Sequence, residues 1–178
     1  MVAGIAVALL VAHDAIVDSI RTIPDAALDW RPDDADWPLK YIISHLAHAN
    51  DFYVMIVDEA RAADFRSITL RPELAGFQAM AETDTAVAHC TTVAAALACF
   101  ERTYQCLLGR LHGVLPEELD RPFAIAYTWQ PEAPPETTTL RQRVVEMAAR
   151  HLREHQVQIE ETLARWQSVP DPQPGPGS

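Results

Sequence analysis

Four long stretches of this chain repeat their apolar residues with the period of an α-helix, and that repetition leaves few folds open. The first runs from about Ala3 to Thr22, with Ile5, Leu9, Ala12, Ile16 and Ile20 on one face, and Pro24 ends it. The second begins at Pro38, a residue suited to a first helical turn, and continues to about Ala63. Its inner face carries Leu39, Ile42, Leu46, Ala49, Tyr53, Ile56 and Val57. The third is expected from near Asp84 to near Gly113, with Val93, Leu97, Phe100, Tyr104, Leu107, Leu108 and Leu111 in register. The fourth opens on Thr139 with Gln142 three residues on, a capping-box pattern, and reaches about Trp166. No clear strand stands between them. The expected fold class is all-α: a four-helix bundle with long connections.

Those connections, residues 65–82 and 114–138, hold several prolines and exceed the usual bundle loop. At least one is suited to cross over along the bundle. The second carries Phe123, Ile125, Tyr127 and Trp129, enough apolar surface to cover one end. Residues 1–168 read as one domain, and 169–178 as a disordered Pro/Gly-rich tail that has nothing to bury.

Charge narrows the list of partners. The formal net charge is -11, and Lys40 is the one basic residue that is not Arg. Phosphate binding relies on Lys and Arg to neutralise charge, so nucleic acid and anionic membranes are not expected as partners. A small-molecule substrate is. The apolar run from Val2 to Ala12 lacks a basic segment before it and is too short to span a bilayer, so it reads as the start of a helix. Cys90, Cys99 and Cys106 all fall in the third predicted helix; an odd number of thiols without a secretory signal points to a reduced, cytoplasmic protein.

The chemistry on offer is histidine. In the fourth helix Leu140, Val144, Ala148, Leu152, Ile159, Leu163 and Trp166 make the apolar stripe; His155 lies near its centre and His151 slightly to one side. Four residues apart, they sit one turn from each other and can reach a single ion. In the second helix His45 stands on the edge of the apolar stripe, whereas His48 points outside it. A single inward His is ordinarily a hydrogen-bonded core residue; three that converge favour a metal, because uncompensated imidazoles inside a bundle are costly. His151-Leu152-Arg153-Glu154-His155 also spells the pattern of inverted zinc peptidases, but that reading needs an α/β scaffold, and we treat it as coincidence.

Two stretches resemble the DinB/YfiT-like family of metalloenzymes. One is Leu28-Asp29-Trp30-Arg31-Pro32, then Trp37, then Ile43-Ser44-His45-Leu46; the other is His151-Leu152-Arg153-Glu154-His155-Gln156-Val157-Gln158-Ile159. The likeness extends over roughly residues 5–166 in the length and order of the helices. Val157 stands where the family often has Gly, and Asn50 where an acidic residue is frequent. The resemblance implies that His45, His151 and His155 hold a divalent ion, Zn, Ni, Fe or Mn. It also implies hydrolysis, or transfer or isomerisation with a low-molecular-weight thiol such as bacillithiol or mycothiol as cosubstrate.

Other residues carry weaker expectations. Three neutral nitrogens leave coordination positions open, the arrangement of a catalytic site, where a water or thiol loses its proton more easily. Glu154, beside His151, is a candidate general base. His13 lies on the apolar stripe of the first helix; if the first two helices are antiparallel neighbours it stands level with His45, and it is expected either to line the metal cavity as an extra ligand or an acid/base group, or, equally, to be a hydrogen-bonded core histidine. Tyr53 and Tyr104 face inward and are candidates to hydrogen-bond substrate or cofactor; core packing is the plainer reading. His89 reads as lying near a bundle end and His112 as a C-terminal helix charge. The competing class is a non-catalytic binding or stress-related assembly bundle with structural histidines. A homodimer is expected as well. The third helix lacks charge between Asp84 and Glu101, and the first lacks it until Asp14, so both ask for a second cover.

Overall fold

The four periodic stretches fold as the helices of a bundle, in a computed structural model that describes residues 3–70, 90–128 and 130–169. α1 spans Ala3–Arg21, α2 Leu39–Ala62, α3 Val93–His112, and α5 Met147–Ser168; a short α4, Pro116–Leu119, lies between the last two. α5 is entered through a π-helical turn, Arg141–Glu146, and the Thr139 hydroxyl accepts from the Gln142 amide at 3.2 Å, so the capping signal does mark this start.

Local chemistry sets the ends. α2 opens directly after Pro38, whose backbone is extended. α3 begins later than its apolar period suggests: the Thr92 side chain accepts from the Ala95 amide at 3.1 Å, and residues 90–92 are not helical. Cys90 therefore precedes the helix rather than belonging to it. The expected start near Asp84, and His89 with it, lie outside the described residues, as do Trp129 and the tail from Pro170.

Burial follows the stripes. Ile16 and Ile20 from α1, Ile42, Leu46 and Ile56 from α2, Phe100, Tyr104 and Leu107 from α3, and Leu152 and Ile159 from α5 make a continuous core. α1 packs chiefly on α5, and α2 on α3; contacts of α2 with α5 and of α1 with α3 close the ring. α1 and α2, consecutive in sequence, are thus diagonal in the bundle. The premise that placed His13 level with and beside His45 does not hold.

The connections are not structureless. β1, Ser67–Leu70, pairs in parallel with β2, Phe123–Tyr127, which pairs antiparallel with β3, Glu136–Thr138. Strands were not expected, yet the inward residues Ile68, Leu70, Phe123 and Ile125 alternate as a half-buried sheet requires. Asp64 and Phe65 take the left-handed conformation, φ 48° and 53°, which turns the chain off α2 into β1. Burial of Phe65 edge-on against Phe123 and the 2.8 Å ion pair of Asp64 with Arg121 offset that strain. The result is a helical bundle with a small sheet across two of its connections. No described helix is long and apolar enough to cross a membrane.

Candidate metal centre

α2 carries His45 and α5 carries His151 and His155 to one place. Nε2 of His151 lies 3.0 Å from Nε2 of His45 and 3.0 Å from Nε2 of His155, and the ligand atoms of all three fall within 4.8 Å of one another. Among the described residues this is the one group of three or more His, Cys, Asp or Glu that can hold an ion. Trp37, in the loop before α2, packs edge-on against His45 with ring centroids 5.2 Å apart.

The three Nε2 atoms cannot all be satisfied by one another. His155 Nδ1 donates to Gln158 Oε1 at 2.7 Å, which fixes the tautomer and leaves Nε2 as a bare lone pair. His151 Nε2 meets a nitrogen on either side and has at most one proton to give. A cation at the common focus serves all three. Two imidazole nitrogens on a tetrahedral zinc ion stand about 3.3 Å apart, given bonds of about 2.0–2.1 Å, so the observed spacing needs little adjustment. The residues fit the group.

Electrostatics point the same way. Burial first, then the neighbouring His155 and His48, hold His45 down at about 4. Burial, His155, His45 and Arg150 hold His151 at about 3. His155 is also lowered by burial, with Gln158 and Glu154 acting against the shift. All three rings are neutral near pH 7, the protonation state a metal ligand needs.

A cavity of about 260 Å³ opens beside them in the gap between α2 and α5. His45 and His151 line it together with Phe52, Tyr53, Arg150 and Glu154. Met147, Arg150 and Glu154 follow one another a turn apart on α5, so one helical face supplies that wall. The Tyr53 side chain is buried, and desolvation pushes its hydroxyl up to about 12, which keeps it a proton donor.

Of the candidate site residues, the fold brings together His45, His151, His155, Glu154 and Tyr53. His13 and Tyr104 are with each other instead. The His13 ring stacks on Tyr104 at 3.8 Å and on Phe100 at 5.6 Å, with Nε2 3.1 Å from Glu101 and Nδ1 3.1 Å from Asp14. Neither residue lines the cavity. The Tyr104 hydroxyl is buried with no hydrogen-bond partner among the described residues, and burial with the nearby Asp14 and Glu101 raises its pKa. Sequence reasoning passed over Arg150 and the part played by Gln158. Both were in reach of helical spacing, since Arg150 stands one turn before Glu154, and Gln158 three residues after His155.

The DinB superfamily model matches residues 8–159. No curated protein matches the chain in sequence. Among solved structures, the chain is similar to YfiT from Bacillus subtilis, described as a probable metal-dependent hydrolase with an unusual four-helix bundle topology. That match has a TM-score of 0.69 and 15 % identity, and covers 90 % of this chain and 84 % of YfiT. An uncharacterised protein from Clostridium difficile 630 aligns with a TM-score of 0.66 at 12 % identity, over 93 % of this chain and 94 % of that one. At such identities the likeness is one of fold.

Proposed function

The chain belongs to the DinB superfamily, and from that premise we propose that it is a metal-dependent hydrolase, or a transferase or isomerase using a low-molecular-weight thiol, with a divalent ion held by His45, His151 and His155. The observation that carries the reading is the meeting of three neutral imidazoles whose Nε2 atoms cannot satisfy one another. The description of YfiT as a probable metal-dependent hydrolase supports it.

A divalent ion in this place supplies Lewis acidity toward a bound water, thiol or carbonyl oxygen. The chain does the rest. Gln158 holds His155 in one tautomer, and Trp37 limits the swing of His45. Glu154, at the cavity wall, is placed to take a proton from a nucleophile, and Tyr53 to donate a hydrogen bond to a substrate oxygen. His13 and Tyr104 touch Asp14, Glu101 and Phe100, so any effect of theirs on the reaction runs through the packing of α1 against α3. Three nitrogen ligands suit Zn, Ni or Fe, and Mn remains within the same donor set. The cytoplasm, where such thiols are kept reduced, is the compartment this reading requires. A second copy of the chain is expected to cover Val7, Leu10 and Val11, which α1 leaves exposed.

Metal analysis of protein purified without an affinity tag tests the proposal. One equivalent of a transition metal, lost in His155→Ala without loss of helix content, is the expected result. A wild-type protein that neither carries nor takes up metal, and whose stability is unmoved by His155→Ala, instead fits the non-catalytic bundle.

A further inference from the structure

Beside His45 and His151 the cavity lining has a chemistry of its own. Tyr53 is 5 % exposed, and what it does expose lines the cavity. A phenol that lines a cavity can donate to an acceptor on a molecule that enters it. The charges that act on that hydroxyl are those of Arg143 and Arg150, with Glu154 opposing them. Arg143 is engaged with the sheet: it donates to the Tyr127 hydroxyl at 2.6 Å and pairs with Glu136 at 3.6 Å. Arg150 is different. It lines the cavity, and among the described residues its ion pair is a long contact of 3.6 Å with Glu154 on the same helix, both side chains 63 % exposed. A guanidinium has five donors in a planar fork, so that contact leaves most of its capacity unused.

We propose that this cavity selects small molecules bearing a carboxylate, which is seated between the Arg150 guanidinium and the Tyr53 hydroxyl while the reacting end of the molecule lies against His45 and His151. The inference rests on the reading of the three histidines as a metal centre, and it adds the substrate class. Two features favour a carboxylate over a larger or more highly charged anion. The volume, about 260 Å³, is below that of most drug-sized pockets, and Glu154 on the same wall repels groups of higher negative charge. Phe52 and Met147 also line the cavity and suit a short carbon chain.

The test uses zinc-loaded protein and paired probes. Malonic, succinic and glutaric monohydroxamates each carry a metal-binding hydroxamate and a carboxylate; their amide twins replace the carboxylate with a neutral group of like size. Acetohydroxamate reads the metal alone. In calorimetric titrations at least one carboxylate probe is expected to bind about tenfold or more tightly than its twin. That gap is expected to vanish in Arg150→Gln and to narrow in Tyr53→Phe, each affinity being read relative to that of acetohydroxamate for the same variant. Twins of equal affinity, or a gap that survives Arg150→Gln, overturn the carboxylate seat. Failure of acetohydroxamate to bind, or of zinc to be retained, strikes the metal reading instead. The seat is then read on metal-free protein by the NMR signal of the Arg150 side-chain Nε–H: a response to glutarate and not to glutaramide sustains it, and an equal response or none overturns it.

Discussion

Two places in this bundle bury imidazole, and they solve the problem in opposite ways. His13, between α1 and α3, is stacked on two aromatic rings and has a carboxylate 3.1 Å from each nitrogen. Whichever of its nitrogens carries a proton has an acceptor within the fold. His45, His151 and His155, between α2 and α5, have chiefly one another, and the charges acting on His45 and His151 all oppose protonation. A satisfied histidine is part of the structure that holds a site; a set of imidazoles that cannot satisfy itself calls for a cation. The difference lies in the partners, since burial is common to both.

Separating the two regions experimentally starts with the largest effect. His151→Ala is expected to weaken zinc binding by about a hundredfold or more, through loss of one of three ligands, while His13→Ala changes it by less than about twofold. Competition titration with a chromophoric chelator reads both. Comparable losses in the two variants would erase the distinction.

Stability should show the reverse. His13→Ala removes a stacked core ring and is expected to cost about 2–3 kcal/mol in urea unfolding. In metal-free protein His151→Ala is expected to cost less than about 1 kcal/mol, since the ring it removes is desolvated with little in return.

Acid sharpens the contrast further. In the unfolded chain these histidines bind protons near 6.5, whereas burial holds His45 at about 4 and His151 at about 3 when folded. Below pH 6.5 the unfolded state takes up protons that the folded state refuses, so metal-free protein loses stability as pH falls toward those values. A loss of about 1–2 kcal/mol by pH 5.5 is expected, and a smaller one in the His45→Ala/His151→Ala double variant. A stability profile flat from pH 7 to 5 would contradict the buried, neutral state of the rings.

The smallest effect concerns tautomer control. Gln158→Leu, which leaves His155 Nδ1 without its acceptor, is expected to raise the zinc dissociation constant about tenfold, and Gln158→Glu to restore it. The readout that separates positioning from bulk packing is the His155 tautomer in metal-free protein, followed by ¹⁵N shifts: Nδ1–H in the wild type, mixed in Gln158→Leu.

The sequence made parts of this legible for definite reasons. A helix of known period fixes which residues share a face, so the pairing of His151 with His155 and their inward placement follow from spacing. The partnership with His45 is a matter of which helices adjoin, which periodicity does not contain; it came from resemblance. His13 shows the hazard directly. Consecutive helices need not adjoin: α1 packs on α5 and α3, and α2 stands across the bundle. The sheet escaped for a related reason. Phe123, Ile125 and Tyr127 alternate as a strand does, but the partner of β2 is β1, whose Ser67 pairs with Ala124 from far back in the chain. Thr92 was a readable N-cap that the uncharged run before α3 obscured.

The central claim is that one ion is shared by imidazoles from two helices. X-ray absorption at the zinc edge of the loaded protein addresses it without reference to any reaction. Three nitrogen scatterers at about 2.0–2.1 Å with the outer-shell pattern of imidazole, reduced to two in His45→Ala, are the predicted spectrum. A first shell of oxygen without imidazole, or one that His45→Ala leaves untouched, would contradict the account.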